Sequence, residues 1–188
     1  MKLQPLATTQ LLLDALRADQ TPTEWAFGFE RAEGDWNDLT IRAIVFGLAP
    51  QLHYRFEQWG VKPPPSAHAK LAVTYAAHEK RNQSILAQFS EAVNAFRQRG
   101  LHPIALKGIH LAHIVYETPA QRPMNDVDLL FAQDKIETAE QVLTELGYGA
   151  KYKDPNTGPG ITKHTSTYLK SGKRGATPNP YLSPDAER

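Results

Sequence analysis

The sequence predicts an α+β fold: a helical N-terminal region, residues 1–100, packed on a small mixed-sheet core, residues 101–170, with a loop or disordered tail over 171–188. Three observations lead there. Up to Gly100, apolar residues recur at three- and four-residue steps, the period of helices buried along one face. Beyond it, short strand-like runs alternate with amphipathic helical ones, the order of a sheet covered by helices. Residues 171–188 hold three prolines and two glycines among polar residues, a composition that cannot bury a core.

The bulk properties narrow the class. A chain of 188 residues is long enough for one ordinary domain, or for two small subdomains sharing a core. A formal net charge of +1 recruits neither nucleic acid nor an anionic membrane. Charge is uneven, since residues 151–188 carry seven Lys/Arg against three Asp/Glu and leave the first 150 residues acidic. The chain has no cysteine, which excludes disulfides and thiolate metal sites. Leu11-Leu12-Leu13, followed at once by Asp14, is too short for a signal-peptide core or a membrane span, so the expectation is a cytoplasmic protein without a membrane partner.

Taken in order, Thr8 or Thr9 is placed to cap a helix with Leu12, Leu13 and Leu16 on one stripe. Thr21-Pro22-Thr23-Glu24 has the capping-box spacing with proline at the first helical position. That helix presents Trp25, Phe27 and Phe29 before Gly34. Asp35 caps the next, which carries Trp36, Leu39, Ile41, Ile44 and Val45. Pro50 interrupts the pattern, and Leu52, Tyr54, Phe56 and Trp59 resume it to Gly60. After the stiff Pro63-Pro64-Pro65, Ser66 is placed as the N-cap of one long helix to Gly100, with room for a kink near Asn82. At 1.5 Å per residue it would span roughly 50 Å, the length of a brace rather than of an element in one small core. Its aromatic stripe reads as packing.

The second half is shorter in its rhythm. Ile104-Ala105-Leu106 reads as a buried strand, and Gly108 as the freedom for a tight turn into a helix from Ile109 to Glu117 that Thr118-Pro119 ends. Asn125 to Phe131 reads as a strand with Val127, Leu129 and Phe131 on one face and Asp126 and Asp128 on the other. Lys135 to Leu146 is an amphipathic helix stopped by Gly147, and Thr162 to Leu169 a weak strand.

The chemistry concentrates between Pro103 and Phe131. Side chains two apart on a strand share a face, so Asp126 and Asp128 would sit side by side. Like charges that close need a cation or a shifted pKa, and hard carboxylate oxygens suit Mg²⁺ together with substrate phosphates. Lys107-Gly108 at a strand-to-helix turn adds a positive charge and a helix N-terminus that favours anions. Arg122, four residues before Asp126, is a phosphate fork. His110, His113 and Glu117 have a zinc-like spacing, yet three ligands along one helix face cannot readily close a tetrahedron, so they read as a polar face. Lys163 and His164 lie on the weak strand and could reach a phosphate, though little in the sequence points to that role.

These residues carry a resemblance. Leu106-Lys107-Gly108, Leu111-Ala112, Tyr116, Arg122-Pro123, Asp126-Val127-Asp128-Leu129-Leu130 and Leu146-Gly147-Tyr148 resemble the uncharacterised bacterial nucleotidyltransferase family of the polymerase-β-like superfamily. The likeness extends over roughly residues 10 to 170. It implies a metal-dependent transfer of a nucleoside monophosphate from a nucleoside triphosphate to an acceptor hydroxyl, with release of pyrophosphate. Asp126 and Asp128 would bind Mg²⁺, and Lys107-Gly108 would stand where the superfamily has Gly-Ser against the triphosphate. The acceptor and the base are left unnamed. The superfamily also uses a third carboxylate on a later strand, and Asp154 and Asp185 lack strand context. The expectation is therefore an incomplete nucleotidyltransferase core in a C-terminally truncated chain. The alternative is a nucleotide- or partner-binding module without catalysis. A sugar-nucleotide glycosyltransferase using Asp-x-Asp ranks last, because no βαβ unit precedes the pair.

Overall fold

The computed structural model describes residues 5–151 and 167–170. Five helices come first: α1 (Pro5–Leu16), α2 (Pro22–Arg31), α3 (Trp36–Val45), α4 (Ala49–Trp59) and α5 (Pro65–Gln98). Then follow β1 (Ile104–Leu106), α6 (Lys107–Ile114), a 3₁₀ turn (Pro119–Gln121), β2 (Asp128–Leu130), a second 3₁₀ turn (Gln133–Lys135), α7 (Ile136–Glu145), β3 (Tyr148–Lys151) and β4 (Thr167–Lys170). The class is α+β, and the helices dominate. Both described sheets are two-stranded and antiparallel, β1 with β2 and β3 with β4, where a mixed sheet was expected.

Local chemistry fixes the first helices much as their sequence implies. Thr21 Oγ1 accepts from the Glu24 N–H at 3.2 Å while the Glu24 carboxylate accepts from the Thr21 N–H, closing the capping box at α2. Asp35 caps α3 by accepting from the Asn37 N–H at 2.8 Å. Gly60 ends α4 at φ 67°, a left-handed conformation that costs glycine little. Trp25 is the centre of the resulting core. Its ring stacks on Phe29 at 5.1 Å and meets Phe56 at 4.9 Å, and its Nε1 donates to the Leu11 carbonyl, so a large apolar body is buried with its one polar atom satisfied. Leu12, Leu39, Leu52 and Leu71 complete this core.

Several expectations shift. α1 is already helical from Pro5, so Thr8 lies buried inside it rather than capping it. Phe27, Ile41 and Val45 face outward, because burial of Trp25 and Phe29 in α2 and of Leu39 and Ile44 in α3 uses up the inner stripes. α5 starts at Pro65 with Pro64 as its N-cap, and Ser66 caps nothing. A proline at the first helical position brings its fixed φ and has no N–H to satisfy there.

α5 is one helix of 34 residues with no break at Asn82. Leu71 belongs to the aromatic core, Ile85, Leu86 and Phe89 pack on a second cluster around Ile109, Ala112 and Met124, and Ala92 and Phe96 build a third with Leu101, Ala139 and Val142. Beside Ala92, Glu91 pairs with Lys170 at 2.6 Å and so ties β4 to the same helix. No described helix is long and apolar enough to cross a membrane. Asp154, Lys163, His164, Asp185 and the tail 171–188 lie outside the described residues, as does the start of the weak strand at Thr162.

Candidate functional site

The candidate site forms where β1 runs into α6 beside β2. The antiparallel register pairs Leu106 with Asp128, which brings the residue after β1 against the first residue of β2. Lys107 Nζ lies 3.1 Å from Asp128 Oδ2 as a result. Asp128 is 29% exposed at its side chain and Lys107 62%, so the pair is partly open to solvent screening. The strand is shorter than expected: Asp126 precedes it, outside the strand, and is exposed. Alternation nevertheless continues through this segment. Val127 packs toward Met124, and Leu129 and Phe131 toward Phe96, while Asp126 and Leu130 are exposed.

The turn itself departs from the sequence expectation in an informative way. The left-handed backbone falls on Lys107, φ 50°, and Gly108 has no positive φ. A non-glycine residue held there is strained, by an amount of order 1–3 kcal/mol when the surroundings enforce it. α6 consequently begins at Lys107, ends at Ile114, and carries no side-chain cap at its N-cap residue Leu106. Its first backbone N–H groups are therefore available to an acceptor. Gly108 serves a different purpose: a Cβ there would meet Met124 Cγ at 3.5 Å and Arg122 Nε at 3.8 Å. The glycine thus lies beside the guanidinium that the sequence singled out, and Arg122 Nε is buried with no hydrogen-bond partner among the described residues. A buried cationic donor without a partner is costly, and an anionic oxygen would satisfy it.

The loop that carries Arg122 is held largely from α5, by residues to which the sequence reading gave no role in the site. From α5, Asn82 Nδ2 donates to the carbonyls of Pro119 at 2.5 Å and Arg122 at 2.7 Å. From the residue before it on the same helix, Arg81 Nε donates to the Met124 carbonyl at 2.9 Å. Tyr75 and Thr118 share a hydroxyl hydrogen bond of 3.0 Å, Gln51 donates to the Tyr116 hydroxyl, and Tyr54 donates to the Glu117 carboxylate. His78 is buried in the same row, its pKa lowered by desolvation and then by the neighbouring Arg81 charge, so it is held neutral. A signal for this row exists in the sequence: His78 and Asn82 fall in register with Leu71, Ile85 and Phe89, where a purely structural helix would be apolar.

Lys107, Gly108, Arg122 and Asp128 are thus brought together, with Asp126 at the open edge. His110 and His113 are both exposed on α6, and Glu117 lies past its end, engaged by Tyr54. Among the described residues, no third acidic or imidazole group converges on Asp126 and Asp128.

Comparison with protein families matches residues 32–177, most of the chain, to the family described as uncharacterised nucleotidyltransferase. Neither a curated protein nor a solved structure matches.

Proposed function

Because the chain belongs to the uncharacterised nucleotidyltransferase family, we propose that the β1–α6 turn and the start of β2 form a nucleoside-triphosphate site that moves a nucleoside monophosphate to an acceptor hydroxyl and releases pyrophosphate. The observation that carries this reading is the convergence of Lys107 on Asp128 beside an uncapped helix N-terminus and the buried Arg122 Nε, which has no partner among the described residues. It is a place built for alternating charge: a carboxylate that already holds a cation, and a buried donor that lacks an anion.

Asp126 and Asp128 would hold Mg²⁺ through hard oxygen ligands, and the Lys107 ammonium at Asp128 marks where a cation is accommodated. The ion would supply neutralisation and orientation of the triphosphate. The chain's own groups do the remaining work. The first N–H groups of α6 donate to phosphate oxygens, aided by the helix dipole. Gly108, having no side chain, leaves the approach to those amides open. Arg122 Nε donates to a second oxygen, and Lys107, whose ammonium stands at Asp128, adds positive charge beside the phosphates.

A second reading, a nucleotide-binding module without catalysis, is favoured by the lack of a third converging carboxylate among the described residues. The two separate in one experiment: titration of Mg-ATP and Mg-GTP into the protein and into Asp126→Ala/Asp128→Ala, with pyrophosphate release followed in parallel. Binding that depends on the aspartates, with release, supports transfer. Binding without release supports the module, and equal binding by both proteins sinks both readings.

A further inference from the structure

We propose that α4 and α5 carry a second, independent metal site for a zinc-class divalent cation, made by His53, Glu57 and His68. One ligand atom from each lies within 4.8 Å of the others. Two imidazole nitrogens and one carboxylate oxygen are a donor set that zinc takes with a position left open, and one that Mg²⁺ disfavours.

The placement follows from the fold. His53 and Glu57 are one turn apart on α4, on a common face. Gly60 turns the chain, the three prolines from Pro63 stiffen the return, and His68 arrives in the first turn of α5. His68 Nε2 is then 3.3 Å from Glu57 Oε1. Ligands about 2.0–2.2 Å from a tetrahedral zinc are separated by about 3.3–3.5 Å, so this pair already has the spacing of two corners. His53 completes the set. Its ring lies 5.8 Å from the His68 ring and 5.1 Å from Tyr75, which seats it against a neighbour on α5. Glu57 and His68 are exposed and His53 half-buried, leaving a path for an aquo-ion.

The competing account is a surface ion pair between His68 and Glu57. Such a pair needs only two groups, and a second imidazole beside them adds repulsion whenever both rings are protonated. For a metal the same second imidazole is what raises two ligands to three. Residue spacing does not reveal this set, because His68 is eleven residues from Glu57 and joins it only through the α4–α5 turn.

The test is titration of the tag-free full chain with Zn²⁺ against a chromophoric chelator, and with Co²⁺ followed by visible absorption. Expected are one Zn²⁺ per chain, a Co²⁺ spectrum of low coordination number, and a rise in melting temperature on adding Zn²⁺. His68→Ala and Glu57→Gln, both at exposed positions, should each weaken binding by at least about tenfold, the loss that even a partner once removed from a metal produces. Asp126→Asn/Asp128→Asn should leave Zn²⁺ affinity unchanged. Zn²⁺ affinity that is the same in His68→Ala as in the parent chain, or that falls with the aspartates instead, overturns the proposal. So does failure of the parent chain to bind.

Discussion

The aromatic core of α1–α4 and the polar turn around Lys107 hold their shapes by opposite means. Around Trp25 the restraint is spread over many apolar contacts, with Phe29, Trp36, Phe56 and Trp59 rings all within 6.3 Å of it. Around Lys107 it is concentrated in a few directed hydrogen bonds from α5, above all the two from Asn82. Spread restraint makes a region stable and indifferent to any one polar atom. Concentrated restraint makes a loop whose shape a single side chain dictates, which is what a site holding phosphates in a fixed pose needs. The difference predicts that stability and ligand binding can be damaged separately.

The largest effect tests the first half of that contrast. Trp25→Ala should cost about 3–5 kcal/mol in urea denaturation, the range for truncating a large buried aromatic. Molecules still folded should keep their Mg-ATP affinity. A loss of affinity in the folded fraction would mean that the two regions are not separable.

Asn82→Ala probes the other half. It strips the hydrogen bonds from two carbonyls in the loop and should cost about 1–3 kcal/mol. Nucleotide affinity should fall out of proportion, and amide exchange should quicken over residues 119–125. If stability falls and affinity does not, the loop is held by something other than α5.

At the turn itself the expected sign reverses. Lys107→Gly relieves a left-handed residue and gives up only an ion pair whose lysine is mostly exposed, so stability should rise by about 1 kcal/mol while triphosphate binding weakens. Gly108→Ala, with no positive φ and only ordinary contacts in reach of a new Cβ, should fold as well as the parent and still bind nucleotide less tightly. A destabilised Gly108→Ala would show that the glycine is required by the fold rather than kept open for a ligand.

The smallest effect is a pH slope. Burial lowers the His78 pKa, so the unfolded chain binds a proton that the folded one resists. The stability this contributes is fully present above the ordinary imidazole value of about 6.5 and is lost as pH falls from there toward the lowered folded value. Urea midpoints should decline between pH 7.5 and 5.5, and the decline should flatten in His78→Gln. A slope unchanged in the variant would assign the proton to another group.

Much of this contrast was legible in the sequence. The capping residues Thr21 and Asp35 and the alternation from Val127 to Phe131 are local signals, read from a few neighbours, and they hold. Lys107, Gly108, Arg122 and Asp128 converge as their spacing suggested. What could not be read depends on distant partners. Asn82 was taken for a point of weakness because nothing nearby in sequence accounts for an amide there, and its carbonyl partners lie 37 and 40 residues away. Positive φ went to Lys107 rather than Gly108 because the β1–β2 register, not residue preference, sets where the chain must turn. The histidines of α6 could be weighed as ligands and set aside as a polar face, whereas those of α4 and α5 could not be weighed at all, because a helix face is visible in sequence and a meeting of two helices is not.

The long reach of α5 also orders events in time. The α1–α4 core closes over short separations, such as the 14 residues between Trp25 and the Leu11 carbonyl. The loop bearing Arg122 can lock only after α5 exists and some 40 residues of chain have come back to Asn82, and Lys170 must return across 79 residues to Glu91. Longer closures cost more entropy and come later. The loop bearing Arg122 is thus expected to assemble after the α1–α4 core, and the contact of β4 with α5 later still, on a helical base already in place.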